Sequence, residues 1–419
     1  MRRSFRAIRF VAGMGALALL LAACISSTGG GGSNSTPSPA TGGTVNIGLI
    51  APLSGLGLSI GRDMEEGAQI AVDEINASGG LLGNQVNLIE RDNQADPAIT
   101  TQAARELVDA EHVAMIIGPP GLTAWESIRP IIDQAHVVDF PVLTDPIFEQ
   151  QLDPWSFRIM IPDDLQIPPL VGYAAQRFSR IAMIAEGDQT GAAEVQMAKD
   201  ALAKHHKSLV AVQSFPTDAI DWTAQVLALK KANPQAVIIG TQLGIAGANI
   251  LRYAESLDFH PQWLGLAGMS SYTLPDLAKD ATVGLIFVGP ANPVAKGEKA
   301  TPQEVKFVTE YVKKYFPNGV RSQSGANKLI GAGFLTYDGV KMWAKAAERA
   351  GAYQPDDVDK VFNAGFTFGP AESSGNLTWE YSANDHEGFH AKDAWLYRWV
   401  KDAKGIEYKY FADAAKYAG

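Results

Sequence analysis

The stretch from Val45 to Gly83 constrains this chain most. Val45, Ile47, Leu49 and Ile50 form a short apolar run, the pattern of a strand buried on both faces. Pro52, Ser54, Gly55 and Gly57 then break the run into a loop. Met64, Gly67, Ala68, Ala71, Val72 and Ile75 follow on one helical face, and Gly79 and Gly80 stop the helix, because glycine tolerates the left-handed conformation after a helix end. A buried strand, a loop and a helix form the building unit of an α/β sheet. Ligands of open α/β sheets bind at the loops beyond the carboxyl ends of the strands. Ser54 lies in such a loop and is a candidate contact.

The unit repeats. Val86 to Glu90 predicts a second strand, followed by a helix with Asp96 as its N-cap and Pro97 in its first position. Val113 to Ile117 predicts a third strand, a helix spans about 122–136, and Val137 to Leu143 predicts a fourth strand. Trp155 to Ile161 predicts a strand leaving this first lobe. A second alternating set has strands at Ile181–Ala185, Leu209–Phe215 and Ala236–Gly240, with helices near 191–206, 222–232 and 245–257. Leu285 to Val288 leads back to the first lobe, helices at 302–316 and 329–350 complete it, and Ala394 to Val400 predicts a strand returning to the second. Alternation of this kind implies parallel sheets with helices on both faces.

The N-terminus is of another kind. A basic segment with Arg2, Arg3, Arg6 and Arg9 precedes an apolar run from Phe10 to Leu21, shorter than the ~20 residues that cross a bilayer. Residues 1–23 therefore read as a secretory signal. Leu21-Ala22-Ala23-Cys24 resembles the bacterial lipoprotein cleavage box, which implies lipidation of Cys24 and a membrane anchor. Arg2-Arg3 resembles a twin-arginine export signal. Cys24 is the only cysteine, so no intrachain disulfide forms. Residues 25–43 are Gly, Ser, Thr and Pro with almost nothing apolar, the composition of a flexible tether. Loss of the signal removes four arginines, leaving 31 basic against 45 acidic residues, so the net charge falls from −10 to −14. Such a balance argues against a nucleic-acid partner.

Ile47–Gly55 (IGLIAPLSG) and Gly61–Gly83 (GRDMEEGAQIAVDEINASGGLLG) resemble the opening of the periplasmic branched-chain amino-acid (Leu/Ile/Val) binding proteins. Arg91–Val108, Phe157–Asp164 and Phe366–Pro370 resemble further parts of the same family, so the likeness covers about 45–400. It implies an α/β fold of the type I periplasmic-binding class: two Rossmann-like lobes with parallel sheets, joined by three hinge crossings. The expected partition is 44–160 plus 290–368 for lobe 1 and 161–289 plus 369–419 for lobe 2. The implied function is an extracytoplasmic receptor that captures a small polar solute and delivers it to an ABC importer. It needs no cofactor and no metal, catalyses no reaction and works as a monomer, with the membrane permease as its partner. A ligand-sensing receptor for a separate signalling protein is the alternative.

The resemblance places the ligand at strand-end loops. Carried over position by position, Gly121, Leu122 and Thr123 follow the third strand, Thr144 the fourth, and Ser54 the first, with Asp145 beside Thr144 a further candidate. The second lobe departs from the family. Thr190 stands where amino-acid receptors carry a tyrosine, and Thr241-Gln242-Leu243 offers no acid to neutralise a ligand ammonium. Gln189, Thr190 and Gln242 suit an amide, a urea-like compound or a carboxylated small molecule, unless Asp145, Glu186 or Asp188 supplies the missing charge. Trp125 could stack on an aromatic ligand or pack in the core.

Three motifs point elsewhere. His386-Glu387-Gly388-Phe389-His390 contains HExxH, which on a helix would bind zinc and make the chain a hydrolase. Its neighbours Ser382, Asn384 and Asp385 are poor helix formers, and a turn before the closing strand fits as well. Gly55, Gly57 and Gly61 miss the dinucleotide spacing by one residue. Ser270 and Ser271 do not lie in a nucleophile elbow.

Overall fold

The computed structural model describes residues 42–145, 153–292, 294–315, 332–369, 371, 373, 377–403 and 405–418. The signal segment, Cys24 and nearly all of the tether lie outside the described residues.

The first sheet holds β1 (Thr44–Ala51), β2 (Gln85–Asp92), β3 (Met115–Pro120) and β4 (Val138–Val142) in the order β2-β1-β3-β4. All its pairings are parallel. Ile47, Leu49 and Ile50 are fully buried, so β1 is covered on both faces, as its continuous apolar run requires. The connecting helices are α1 (Leu58–Ala77), α2 (Pro97–Arg105) and α3 (Leu122–Ala135). Asp96 caps α2 by accepting from the amides of Ala98 at 2.7 Å and Ile99 at 3.0 Å.

Trp155 to Ile161 does not form the expected strand. Ser156 makes one isolated parallel bridge to Asp139, after which the Arg158 amide turns to the carbonyl of His386 at 2.8 Å. Phe157, Ile159 and Ile161 are fully buried, and so is Arg158 between them. The apolar pattern therefore reports burial inside a crossing that bonds β4 only around Ser156, through the Phe157 amide and the Trp155 carbonyl, before the Arg158 amide leaves for a turn.

The second sheet has seven strands in the order β13-β12-β9-β8-β7-β5-β6. The chain enters through α4 (Asp163–Arg177), then β5 (Ile181–Glu186), α5 (Gln189–Lys204), β6 (Leu209–Phe215), α6 (Thr223–Ala232), β7 (Ala236–Gly240), α7 (Gly244–Ser256), β8 (Gln262–Gly265), the short α8 (Thr273–Ala278) and β9 (Ile286–Pro290). These strands pair in parallel.

The chain then returns to α1. α9 (Pro302–Tyr315) and α10 (Ala332–Ala350) pack along it, with the Thr336 hydroxyl donating to the Met64 carbonyl at 2.8 Å and the Tyr337 hydroxyl to Glu74 at 2.7 Å. Gly67 is required at this crossing: a Cβ there would lie 1.9 Å from the Gly333 carbonyl oxygen. After α11 (Pro355–Asn363) come the paired short strands β10 (Phe366–Phe368) and β11 (Trp379–Tyr381). A final antiparallel hairpin, β12 (Ala394–Asp402) and β13 (Gly405–Asp413), adds to the edge of β9. Among the described residues no helix is long and apolar enough to cross a membrane.

Candidate functional site

A cavity of about 110 Å³ opens between helices packed on the first sheet and the strand-end loops of the second. From the first side it is lined by Ser59, Ile60 and Asp63 of α1, Glu304 of α9 and Phe334 of α10. From the second it is lined by Gln242 beyond β7, and by Ser270 and Ser271 beyond β8. Met160 of the first crossing and Asn292 after β9 complete the wall. The second sheet thus presents its carboxyl-end loops, where an open α/β fold leaves room for a ligand, and the first contributes the start of the helix that follows β1. The wall is mixed, with apolar surface around a few hydroxyls, amides and carboxyls. Burial pushes the Asp63 carboxyl up to about 7, helped by the neighbouring charge of Glu66. Burial also raises Glu304, against a bond from the Thr301 amide.

The residues expected from the sequence fall into two groups. Thr144, Asp145, Thr190 and Gln242 come together around Asp163, the first residue of α4. The Thr144 hydroxyl donates to Asp163 at 3.0 Å, and the Gln242 amide nitrogen approaches the other carboxyl oxygen at 3.4 Å. Thr190 faces the Asp145 carboxyl and opposes the rise of its pKa. Gln242 also lines the cavity, and its carbonyl oxygen accepts from the Gly268 amide at 2.8 Å.

The others stand apart from that group. Ser54 is exposed and donates to Asp92 at 2.6 Å, which ties the first loop to the end of β2. Gly121 caps α3 with φ +86°, a conformation that favours glycine. Leu122 is buried against Trp125 and Leu143. Thr123 is exposed, and Gln189 is an exposed first residue of α5. None of these lines the cavity.

The cluster around Asp163 is acidic. Burial raises Asp163 well above the carboxylate range, with Asp145 adding to the shift. Asp145 is raised by burial, against Thr190 and Arg158. Glu186 is pushed up to about 7 by burial, although the Thr241 hydroxyl donates to it. Glu194 of α5, 2% exposed, is raised well above its ordinary value by burial and by the charges of Asp163, Glu186, Asp145 and Asp188. The cation beside them is Arg158, which donates to the carbonyls of Leu143 and Asp145 and pairs with Glu387 at 2.7 Å. It thereby fixes the backbone on either side of Thr144.

Two sequence alternatives are corrected. Residues 386–390 are not helical, so the two histidines of HExxH do not share a helix face. His386 is 1% exposed, with Nδ1 2.8 Å from the Asp153 carbonyl and Nε2 3.1 Å from Asn363 Oδ1. Glu387 is paired with Arg158, and His390 faces Asp385 at 3.2 Å. The motif locks a turn against the first crossing: the Tyr381 hydroxyl donates to the Arg158 carbonyl at 2.7 Å and Gly388 fits beside both. Trp125 is fully buried and donates to Asp139 at 3.1 Å, so it is a core residue and not a stacking platform.

Sequence reading missed Asp163, Glu194, Asp63 and Glu304, and set aside Ser270 and Ser271. Ser59 and Asp63 carried a usable signal: four residues apart on the first turns of a helix, they share a face directly after a strand-end loop.

Comparison with known proteins agrees with this architecture. A family model described as periplasmic binding protein matches residues 44–404. The Leucine-, isoleucine-, valine-, threonine-, and alanine-binding protein of Pseudomonas aeruginosa is 24% identical over 375 residues, covering 87% of this chain and 92% of that protein. A type 1 periplasmic binding protein of Bordetella pertussis superposes with a TM-score of 0.76 at 20% identity, covering 88% of this chain and 100% of that one. An ABC transporter solute binding protein of Rhodopseudomonas palustris, solved with 3,4-dihydroxybenzoic acid, gives a TM-score of 0.76 at 17% identity, covering 88% and 98%. With a matched span that covers most of the chain, the protein belongs to the periplasmic binding protein family and has the type I fold of its structural neighbours.

Proposed function

We propose that this protein captures a small solute outside the cytoplasm, in the cleft between two lobes, and hands it to an ABC importer. The observation that carries this reading is the cavity itself. It is walled on one side by α1, α9 and α10 and on the other by the loops after β7 and β8, so a ligand there touches both lobes at once. Contacts that exist only when both walls are present favour the closed form, and a permease can recognise that form. On this reading the lobes are 44–160 plus 290–368 and 161–289 plus 369–419, and Cys24 carries the lipid that holds the receptor at the membrane. The relatives' names speak for amino acids and aromatic acids as the ligand classes to try first.

The test is a thermal-shift screen of the purified protein with leucine, isoleucine, threonine, alanine, urea and 3,4-dihydroxybenzoate. A solute at 100 times its dissociation constant adds about 2.7 kcal/mol, a shift of several degrees. Gln242→Ala and Thr144→Ala should weaken the response with little loss of unliganded stability. A ligand whose affinity is untouched by both changes would place the site elsewhere.

A further inference from the structure

Beside the cavity lies a set of acids whose charges Arg158 offsets only in part. Asp163, Asp145, Glu186 and Glu194 come from the start of α4, the loop after β4, the end of β5 and the middle of α5, and they perturb one another. Asp188 and Asp164 add negative charge, and the cation facing them, Arg158, is already committed to Glu387 and two carbonyls. Asp163 and Glu186 at least have donors in Thr144, Gln166 and Thr241.

Glu194 has none. It is 2% exposed, its Oε2 is buried with no hydrogen-bond partner among the described residues, and it sits against Gly240 at the carboxyl end of β7. A buried carboxyl with no donor is costly to keep, and an incoming cation removes the cost.

Gln242 links these acids to the cavity. One face of its side chain lines the cavity. Its amide nitrogen reaches Asp163 at 3.4 Å and Gln166 at 3.5 Å. Both distances are long for a hydrogen bond, so an arriving donor can replace them. Among the described residues that line the cavity, the titratable groups are the carboxyls of Asp63 and Glu304; Lys, Arg and His do not occur.

Resting on the receptor reading above, we propose that the cavity takes an amphipathic amine: its apolar body lies against Ile60, Met160 and Phe334, and its ammonium displaces the Gln242 amide to reach Asp163 and the Glu194 cluster. A carboxylate on the ligand is not required. This separates the protein from relatives named for amino acids or solved with benzoic acids.

The experiment compares leucine with its two halves, 3-methylbutylamine, which lacks the carboxylate, and 4-methylpentanoate, which lacks the ammonium, with tyramine as a larger amine. Thermal shift finds the binders, and calorimetry in two buffers of different ionisation enthalpy counts protons. Stabilisation by 3-methylbutylamine or tyramine, with proton release as the cation enters the cluster, supports the proposal. A response confined to probes carrying a carboxylate overturns the amine class and leaves the receptor standing. No response to any of these probes or to the screening solutes removes the receptor reading and this proposal together.

Glu194→Gln then tests the subsite. It should raise the midpoint of the unliganded protein, because a neutral amide replaces a stranded carboxyl, and lower amine affinity at least tenfold with fewer protons released. Asp163→Asn should lower affinity as well. Unchanged amine affinity and proton count in both variants would overturn the assignment.

Discussion

Arg158→Met is the most informative single perturbation of this fold. Arg158 is fully buried on the first crossing. Its guanidinium donates to the Leu143 carbonyl at 2.6 Å and to the Asp145 carbonyl, and pairs with Glu387 at 2.7 Å. Methionine fills much of the same volume but removes the guanidinium from Glu387 and frees two carbonyls. Removing one member of a buried ion pair costs about 3–5 kcal/mol. Each abandoned buried acceptor adds about 1–3 kcal/mol, partly recovered as the backbone relaxes. A loss of about 5 kcal/mol is expected, a large part of the roughly 5–15 kcal/mol that holds a typical domain together. Urea unfolding measures it as a change in midpoint at constant slope. The double variant Arg158→Met/Glu387→Met removes the stranded charge as well and should recover about 2–3 kcal/mol of the loss. An Arg158→Met protein within about 1 kcal/mol of the parent, or a double variant whose losses simply add, would refute the view that this pair clamps the Thr144 loop.

Two further expectations follow from packing and titration. Gly67→Ala puts a methyl 1.9 Å from the Gly333 carbonyl oxygen, so α1 and α10 must separate. Overpacking of this kind costs about 1–3 kcal/mol, and an unchanged unfolding midpoint would show that the helices lie further apart. Glu186 holds its proton more tightly in the folded protein, with a pKa pushed from 4.5 to about 7. Stability from that group is therefore full below pH 4.5 and lost as pH rises through 7, by about 3 kcal/mol at most. Glu186→Gln should gain on the parent protein across that window; parallel stability curves from pH 4 to 8 would contradict the shift.

The α/β alternation was legible because its signals are local. Buried strands such as Ile181–Glu186 are continuous apolar runs, and capped starts such as Asp96-Pro97 announce their helices. α4 was not legible. Pro168 and Pro169 lie inside it, and proline costs about 3 kcal/mol in a helix interior, so the pattern reads as a break. The burial of Ile167, Leu170, Val171 and Ala174 outweighs that penalty, a tertiary gain that no local rule contains. β8 has four residues, too few for a period to show. At the site, the loops after β4 and β7 could be placed by counting from strand ends, which found Thr144 and Gln242. Asp163 and Glu194 could not be found that way, because each looks like an ordinary charge near a helix start or on a helix face. Their burial depends on which elements pack against them.

The C-terminal hairpin has a consequence for how the chain is made. β12 pairs with β9 across more than a hundred residues of sequence, from Ala394↔Pro290 to Arg398↔Ile286. Until the ribosome has delivered that hairpin, Ile286, Phe287 and Val288 present an unpaired apolar strand edge, the kind of template on which nascent chains stick to one another. The hairpin is therefore the cover for an apolar strand edge made about a hundred residues earlier. A chain cut short before Ala394 should accumulate as aggregate, and a chain built this way gains from being held unfolded until the hairpin has emerged.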